Sequence, residues 1–311
     1  MPKDLGLAVA AGLLSAVLFL AVLTGSAPGL LATYAAPLPL MAAGLGLGTM
    51  AVVVAGVVGA VGVGLATGGA ALPYALAIAL PAVVIVRQAL LWRSTADAKV
   101  EWYPPGLLLG GLFGAACLGI AVAAVVFAGE DRGLPGAVEN LVRQALESLG
   151  EGLTPRERDQ LAGLWVPFLP AMVGASWVLM TVLNGVVAQG GLVRLERNRR
   201  PSPAYTALVL PDWVAWGLLV GAVVAMLADG GLGYAARNAA VLLLVAYVFP
   251  GLAWIHGVVR NRPWGGTWLV VFYGVFVVAF GWAVIVVAAI GLIRHWMTLG
   301  RKWSSPGQEE N

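Results

Sequence analysis

The chain of 311 residues is 60% apolar and 11% charged, where a soluble globular protein carries roughly 25% charged residues. Its 18 Lys and Arg and 15 Asp and Glu are too few to clothe a soluble globule of 32.0 kDa, and they form no basic stripe with interleaved aromatics. A soluble fold and nucleic-acid binding are therefore excluded. The single cysteine, Cys117, allows no intrachain disulfide, and no cluster has metal-ligand spacing, so no cofactor is expected. A polytopic membrane protein needs charge only in its loops. The expected fold class is an all-α membrane helix bundle of about nine spans with an additional amphipathic outer helix.

In chain order, the first apolar run, 5–23, exceeds a usual signal-peptide core and reads as a retained span, with cleavage after Gly25-Ser26-Ala27 as the alternative. Residues 28–67 stay apolar long enough for two spans meeting near Gly44, Gly46 and Gly48, the first distorted by Pro37 and Pro39. Gly44 to Gly48 supplies a GxGxG, but it lacks the strand before it, and the next acidic residue is Asp97. Gly56, Ala60 and Gly64 have the small-xxx-small spacing of closely packed membrane helices. Further spans are expected over 72–92, 106–128, 165–189, 208–228, 239–258 and 267–293. Between two of them, Leu134, Val138, Leu141, Val142, Ala145, Leu146 and Leu149 follow a helical rhythm opposite Glu139, Arg143 and Glu147. This is an amphipathic helix. Thr154-Pro155-Arg156-Glu157 then reads as a capping box that starts a second short helix.

Short cytoplasmic loops hold an excess of Lys and Arg. Loop 191–207, with Arg194, Arg197, Arg199 and Arg200 against Glu196 alone, is placed inside. Arg93 with Lys99, Arg260 with Arg262, and the N-terminus then fall inside too, and 129–163 falls outside. Nine spans leave one conflict, because they put Arg294, Arg301 and Lys302 outside. Residues 263–293 are too few for two full spans of about 20 residues each. Residues 1–303 are expected to form one membrane domain, with 304–311 as a disordered tail.

Polar groups within spans usually face the bundle interior. Arg87, Asn184, Gln189 and His256 lie at similar depth near the cytoplasmic ends of their spans and are candidates for one intramembrane polar layer, read either as a gate or as headgroup and interhelix anchors. Toward the outer side, Tyr74, Ser176, Trp177, Arg237, Asn238 and Tyr247 are candidate ligand-binding residues, offering one cation, several donors and aromatic walls to a small anionic or aromatic solute. Their alternative role is interfacial anchoring. Asp212, before span seven, is expected to cap the helix start. Gly174-Ala175-Ser176-Trp177 with His256 resembles the serine and histidine of rhomboid intramembrane proteases. The family's motif ends in Gly where Trp177 stands, and the two side chains differ in depth by roughly 9 Å. No catalytic residue is assigned, and no paired carboxylates occur within the spans.

Several local patterns resemble the YybS-like family, bacterial membrane proteins of unknown function. These are Ala36-Pro37-Leu38-Pro39-Leu40 before a Gly-rich span, the stretch from Arg200-Pro201-Ser202-Pro203 to Leu210-Pro211-Asp212-Trp213, Phe249-Pro250-Gly251-Leu252-Ala253, and Gly291-Leu292-Ile293-Arg294-His295-Trp296. The likeness covers roughly residues 5–303. It implies a multi-pass protein of the bacterial cytoplasmic membrane, and the charge distribution places its N-terminus in the cytoplasm. The family is in turn distantly similar to S components of energy-coupling-factor transporters, which bind a small solute and dock on coupling subunits. This chain has about three more spans, no clean AxxxA docking motif and no ATP-binding motif. The expected partners are the lipid bilayer, a small-molecule solute, and coupling subunits or other membrane proteins. Three functional classes follow: a solute-binding transport component, a non-transport scaffold or envelope-assembly protein, and, least supported, an intramembrane enzyme.

Overall fold

The computed structural model describes residues 2–304 apart from 96, 149–151 and 261, and no side chain of residues 2 or 301–304. Leu149 of the amphipathic stripe and residues 305–311 of the expected tail lie outside the described residues. Apart from one short hairpin the described chain is helical, and eight of its helical stretches are long and apolar enough to cross a membrane. Two compact units are formed, one from residues 1–108 and 177–203, the other from 109–176 and 204–311.

The first unit begins with α1 (Pro2–Leu20), α2 (Ala27–Tyr34), α3 (Pro37–Leu47) and α4 (Thr49–Thr67). Pro37 opens α3, so the second span is interrupted as expected. The junction of spans two and three falls at Gly48, whose φ of +111° is strained for any residue with a Cβ. Next come α5 (Ala71–Tyr74), a π-turn (Ala75–Ala79) and α6 (Leu80–Ala89). Close approach explains the glycines here. A Cβ on Gly56 would lie 3.3 Å from Ala79 Cβ, one on Gly64 would lie 3.2 Å from Ala71 Cβ, and one on Gly59 would overlap the Tyr74 hydroxyl. The small-residue face of α4 thus seats the fourth span, antiparallel to it. On another side, a Cβ on Gly12 of α1 would collide with the Ala55 carbonyl. Strands β1 (Trp92–Ser94) and β2 (Val100–Trp102) pair Trp92 with Trp102 and close with an Arg93 to Glu101 ion pair of 2.7 Å.

The second unit takes in most of α7 (Pro105–Val126), then α8 (Gly133–Ser148), α9 (Pro155–Trp165) and the start of α10 (Leu169–Arg194). Leu134, Val138, Val142 and Leu146 are buried in one cluster with Ala162 and Tyr234, while Leu141 of the expected stripe is 59% exposed. Arg143 bridges Glu139 at 3.0 Å and Asp159 of α9 at 2.7 Å, which ties the two helices together. The capping box is present in both directions: Thr154 N donates to Glu157 Oε2 at 2.7 Å and Glu157 N to Thr154 Oγ1 at 3.3 Å. The Thr154 backbone N–H and hydroxyl, both donating to Glu157 Oε2, hold the Glu157 carboxyl below the ordinary carboxylate range, and the Arg143 hydrogen bond does the same for Glu139.

Three span expectations change in this unit. The helix expected as the seventh span starts at Trp213, not 208, because Pro211 excludes helix from the residue before it; α11 (Trp213–Leu227), with 15 residues, is not among the eight stretches long enough to cross. The eighth starts earlier, at Gly230, and runs 30 residues to Val259 as α12 (Gly230–Ala246) and α13 (Val248–Val259). It breaks at Tyr247, where Pro250 removes a helical donor. At 1.5 Å per residue it is about 45 Å long, well beyond a hydrocarbon core of about 30 Å. The ninth is two helices, α14 (Gly265–Val278) and α15 (Phe280–Ser304), separated at Ala279.

Gly217 faces Leu243 and Gly221 faces Ala240, so α11 and α12 run antiparallel. The end of α13 therefore projects past the start of α11. A Cβ on Gly291 of α15 would overlap the Tyr247 carbonyl, and one on Gly251 of α13 would overlap the Val287 carbonyl, so the two backbones cross in close contact. His295 Nε2 lies 3.7 Å from Asp212 Oδ1, and the Trp216 and Trp296 rings meet at 5.9 Å. Arg294 consequently lies at the end where α11 starts. The expectation of one unbroken last span carrying Arg294 to the opposite end is corrected.

Candidate functional site

Two of the residues singled out in the sequence, Trp177 and Asn238, satisfy backbone groups at proline-broken helix turns. In the first unit Pro81 has no N–H to offer the carbonyl one turn back, Ala77, and the Trp177 indole donates to that oxygen at 2.8 Å. Tyr74 is fully buried, shares a 2.7 Å hydrogen bond with Ser15 and meets Phe19 edge-to-face. The Ser15 hydroxyl in turn donates to Ala36 O at 2.7 Å. Asn184 donates to the Tyr34 and Met180 carbonyls, and Gln189 donates to Arg200 O at 2.8 Å. Arg87 is exposed at the end of α6.

The second unit repeats the theme. Pro170 leaves the Val166 carbonyl without a helical donor, and the Tyr234 hydroxyl takes that place. Asn238, fully buried, inserts its amide between Pro167 O and Ala171 N, which would bond directly in an unbroken helix. Arg237 is exposed, and Tyr247 is buried with its ring edge-on to His295 at 5.6 Å. Ser176 is half-buried where α10 leaves this unit. His256 engages Leu252 O through Nδ1 at 2.9 Å and the Tyr273 hydroxyl through Nε2 at 3.3 Å. The expected outer-side set thus divides among separate partners: Ser15 for Tyr74, Ala77 for Trp177, the α10 entrance for Asn238, and His295 for Tyr247. Asp212 precedes α11 but makes no capping hydrogen bond, contrary to expectation. Its φ of −60° and ψ of −28° are already helical, whereas a capping residue needs an extended backbone.

Within the second unit, one end carries a cavity of about 450 Å³. One wall is the segment 206–210, held short of helix by Pro211. A second is α13, with Pro250, Trp254, Gly257 and Val258, and the third is α15, with Gly291, Arg294, His295 and Thr298. Opposite it in the unit stands the α8 and α9 pair, packed where α12 begins. The cavity exists because α13 and α15 cross closely at Gly251 and Gly291 and then diverge. Arg294 lies over the Trp254 ring at 5.4 Å, and Thr298 donates to Arg294 O at 3.0 Å. His295, 7% exposed, forms part of the lining with the Asp212 carboxylate behind it.

This volume falls in the range of small-molecule sites, which are mostly apolar with a few placed polar groups. None of the cavity's lining residues was among the expected ligand residues. The available signal was the charge conflict itself, since an Arg and a His closing the last span fitted neither lipid nor the expected side.

Comparison with curated proteins and with solved structures gives no match. A family model described as "Predicted membrane protein (DUF2232)" matches residues 13–293. Its extent spans six of the eight candidate crossing stretches entirely and covers part of the first and of the last. The chain belongs to the DUF2232 family of predicted membrane proteins, a multi-span family of unknown function.

Proposed function

We propose that this protein is a solute-binding component of a membrane transport system, and that the cavity between α13, α15 and residues 206–210 is its binding site. The observation that carries this reading is a partly open cleft of ligand size, about 450 Å³, with Arg294 held over the Trp254 ring in its wall. The similarity to S components, given by the YybS-like patterns, supports a binding part that draws its energy from partner subunits. The basic loops support a bacterial cytoplasmic membrane orientation with the N-terminus and the cavity end inside. A Cβ on Gly257 meets no atom within 4 Å, so Gly257→Phe would fill the cavity without a backbone clash. A thermal-shift screen of the purified full chain against small metabolites is expected to find a stabilising solute for the wild type and none for Gly257→Phe. An absence of stabilising solutes for the wild type would count against the proposal.

A scaffolding role is the second reading, favoured by α14. None of its residues is buried, and Phe272, Phe276 and Phe280 form a continuous ladder of ring contacts. A photo-crosslinker at Phe276 would capture a defined protein under this reading and only lipid under the first.

A further inference from the structure

We propose that the group this cavity recognises is an oxyanion, a carboxylate or phosphate, carried on an apolar body. The inference rests on the cavity being a solute site and names the chemistry of its ligand. Arg294 is the first ground. The residue is exposed, and among the described residues its side chain makes no hydrogen bond or ion pair and is held over the Trp254 ring. Five other arginines are engaged, Arg93, Arg132 and Arg143 with carboxylates and Arg199 and Arg200 with the Gly46 and Ala89 carbonyls, while Arg87 and Arg237 are exposed like Arg294 but line no cavity. A guanidinium over an indole face still has its N–H donors to offer, and their planar fork matches a carboxylate or phosphate.

The second ground is the charge of the walls. Among the described residues no Asp or Glu lines the cavity. The Asp212 carboxylate lies behind the lining, 3.7 Å from His295 Nε2. Arg294 therefore meets an anionic ligand without competition from the lining. The third ground is size and polarity. A space of about 450 Å³ is far too large for a bare phosphate or carboxylate, and Leu208, Leu210, Pro250 and Val258 give it apolar walls. An oxyanion at Arg294 with an apolar body against those walls fits both halves. A free organic anion and the headgroup of an anionic lipid share this chemistry.

The test uses the full chain in detergent and in nanodiscs. Octanoate and glycerol 3-phosphate serve as free anions, phosphatidylglycerol as the lipid, and phosphatidylcholine as the zwitterionic control. At least one anionic probe is expected to raise the unfolding midpoint of the wild type, with affinity falling about tenfold or more in Arg294→Gln and partly restored in Arg294→Lys. Trp254→Leu should weaken the same probe without changing charge. Arg143→Gln, on α8, should leave it unchanged. A response to phosphatidylglycerol alone assigns the lipid source, and a response to the free anions assigns the solute. A neutral ligand excluded by Gly257→Phe but indifferent to Arg294→Gln would overturn the oxyanion while leaving the solute site standing. No response to any anionic probe, or equal losses in Arg143→Gln and Arg294→Gln, would also overturn it.

Discussion

Asn238 and Trp177 stand at the centre of the residue-scale account, because each completes a hydrogen bond that a proline or an irregular turn leaves open. Leucine in place of Asn238 would remove the partners of Pro167 O and Ala171 N inside a fully buried site. Leaving such groups unmet costs about 1–3 kcal/mol each, so Asn238→Leu should lower the unfolding midpoint of the purified protein by several degrees. Trp177→Phe removes one indole donor and should cost about 0.5–2 kcal/mol, read in the same melt. Both residues stood out in the sequence as polar or aromatic groups within spans, and that much was legible. Their role was not, since the acceptors at Ala77 and Pro167 lie 100 and 71 positions away. Periodicity within one helix carries no information about a carbonyl exposed by a proline in another.

Packed glycines govern the elements. At the α13 and α15 crossing both glycines face backbone, which cannot swing aside as a flexible side chain can. Gly251→Ala should therefore separate the helices at a cost of about 1–3 kcal/mol, whereas Gly257→Ala, in open space, should be nearly neutral; paired thermal melts decide this. In the α8 and α9 pair, the lowered Glu139 carboxyl sets a pH dependence. A carboxyl depressed on folding contributes stability above its unfolded value and loses it as pH falls through the folded one. Amide exchange in α8 should thus accelerate on acidification from about pH 6 to about pH 3, and less so in Glu139→Gln. The capping box, the amphipathic stripe and the Gly48 junction were readable because each is a local signal of a few residues. The break at Ala279 was not, for no proline marks it, and the length of 263–293 alone argued for one span. The cavity was equally hidden, because its walls come from three segments joined only by tertiary packing.

At the scale of the molecule, sidedness follows from the second unit. The α8 and α9 pair sits where α12 begins, and the cavity sits where α13 ends. In a Cys117→Ala background, cysteines at Glu147 and Thr298 should accordingly be labelled from opposite sides of the membrane, with Thr298 on the side of the basic loops. Labelling from one side would refute the arrangement. The central claim, that the cavity end receives a small ligand, is tested most directly by native mass spectrometry of the full chain released gently from its membrane. The account predicts an adduct of small-molecule mass on the wild type that is absent from Gly257→Phe. Both proteins appearing only at their own bare polypeptide masses, or the same adduct on both, would contradict it.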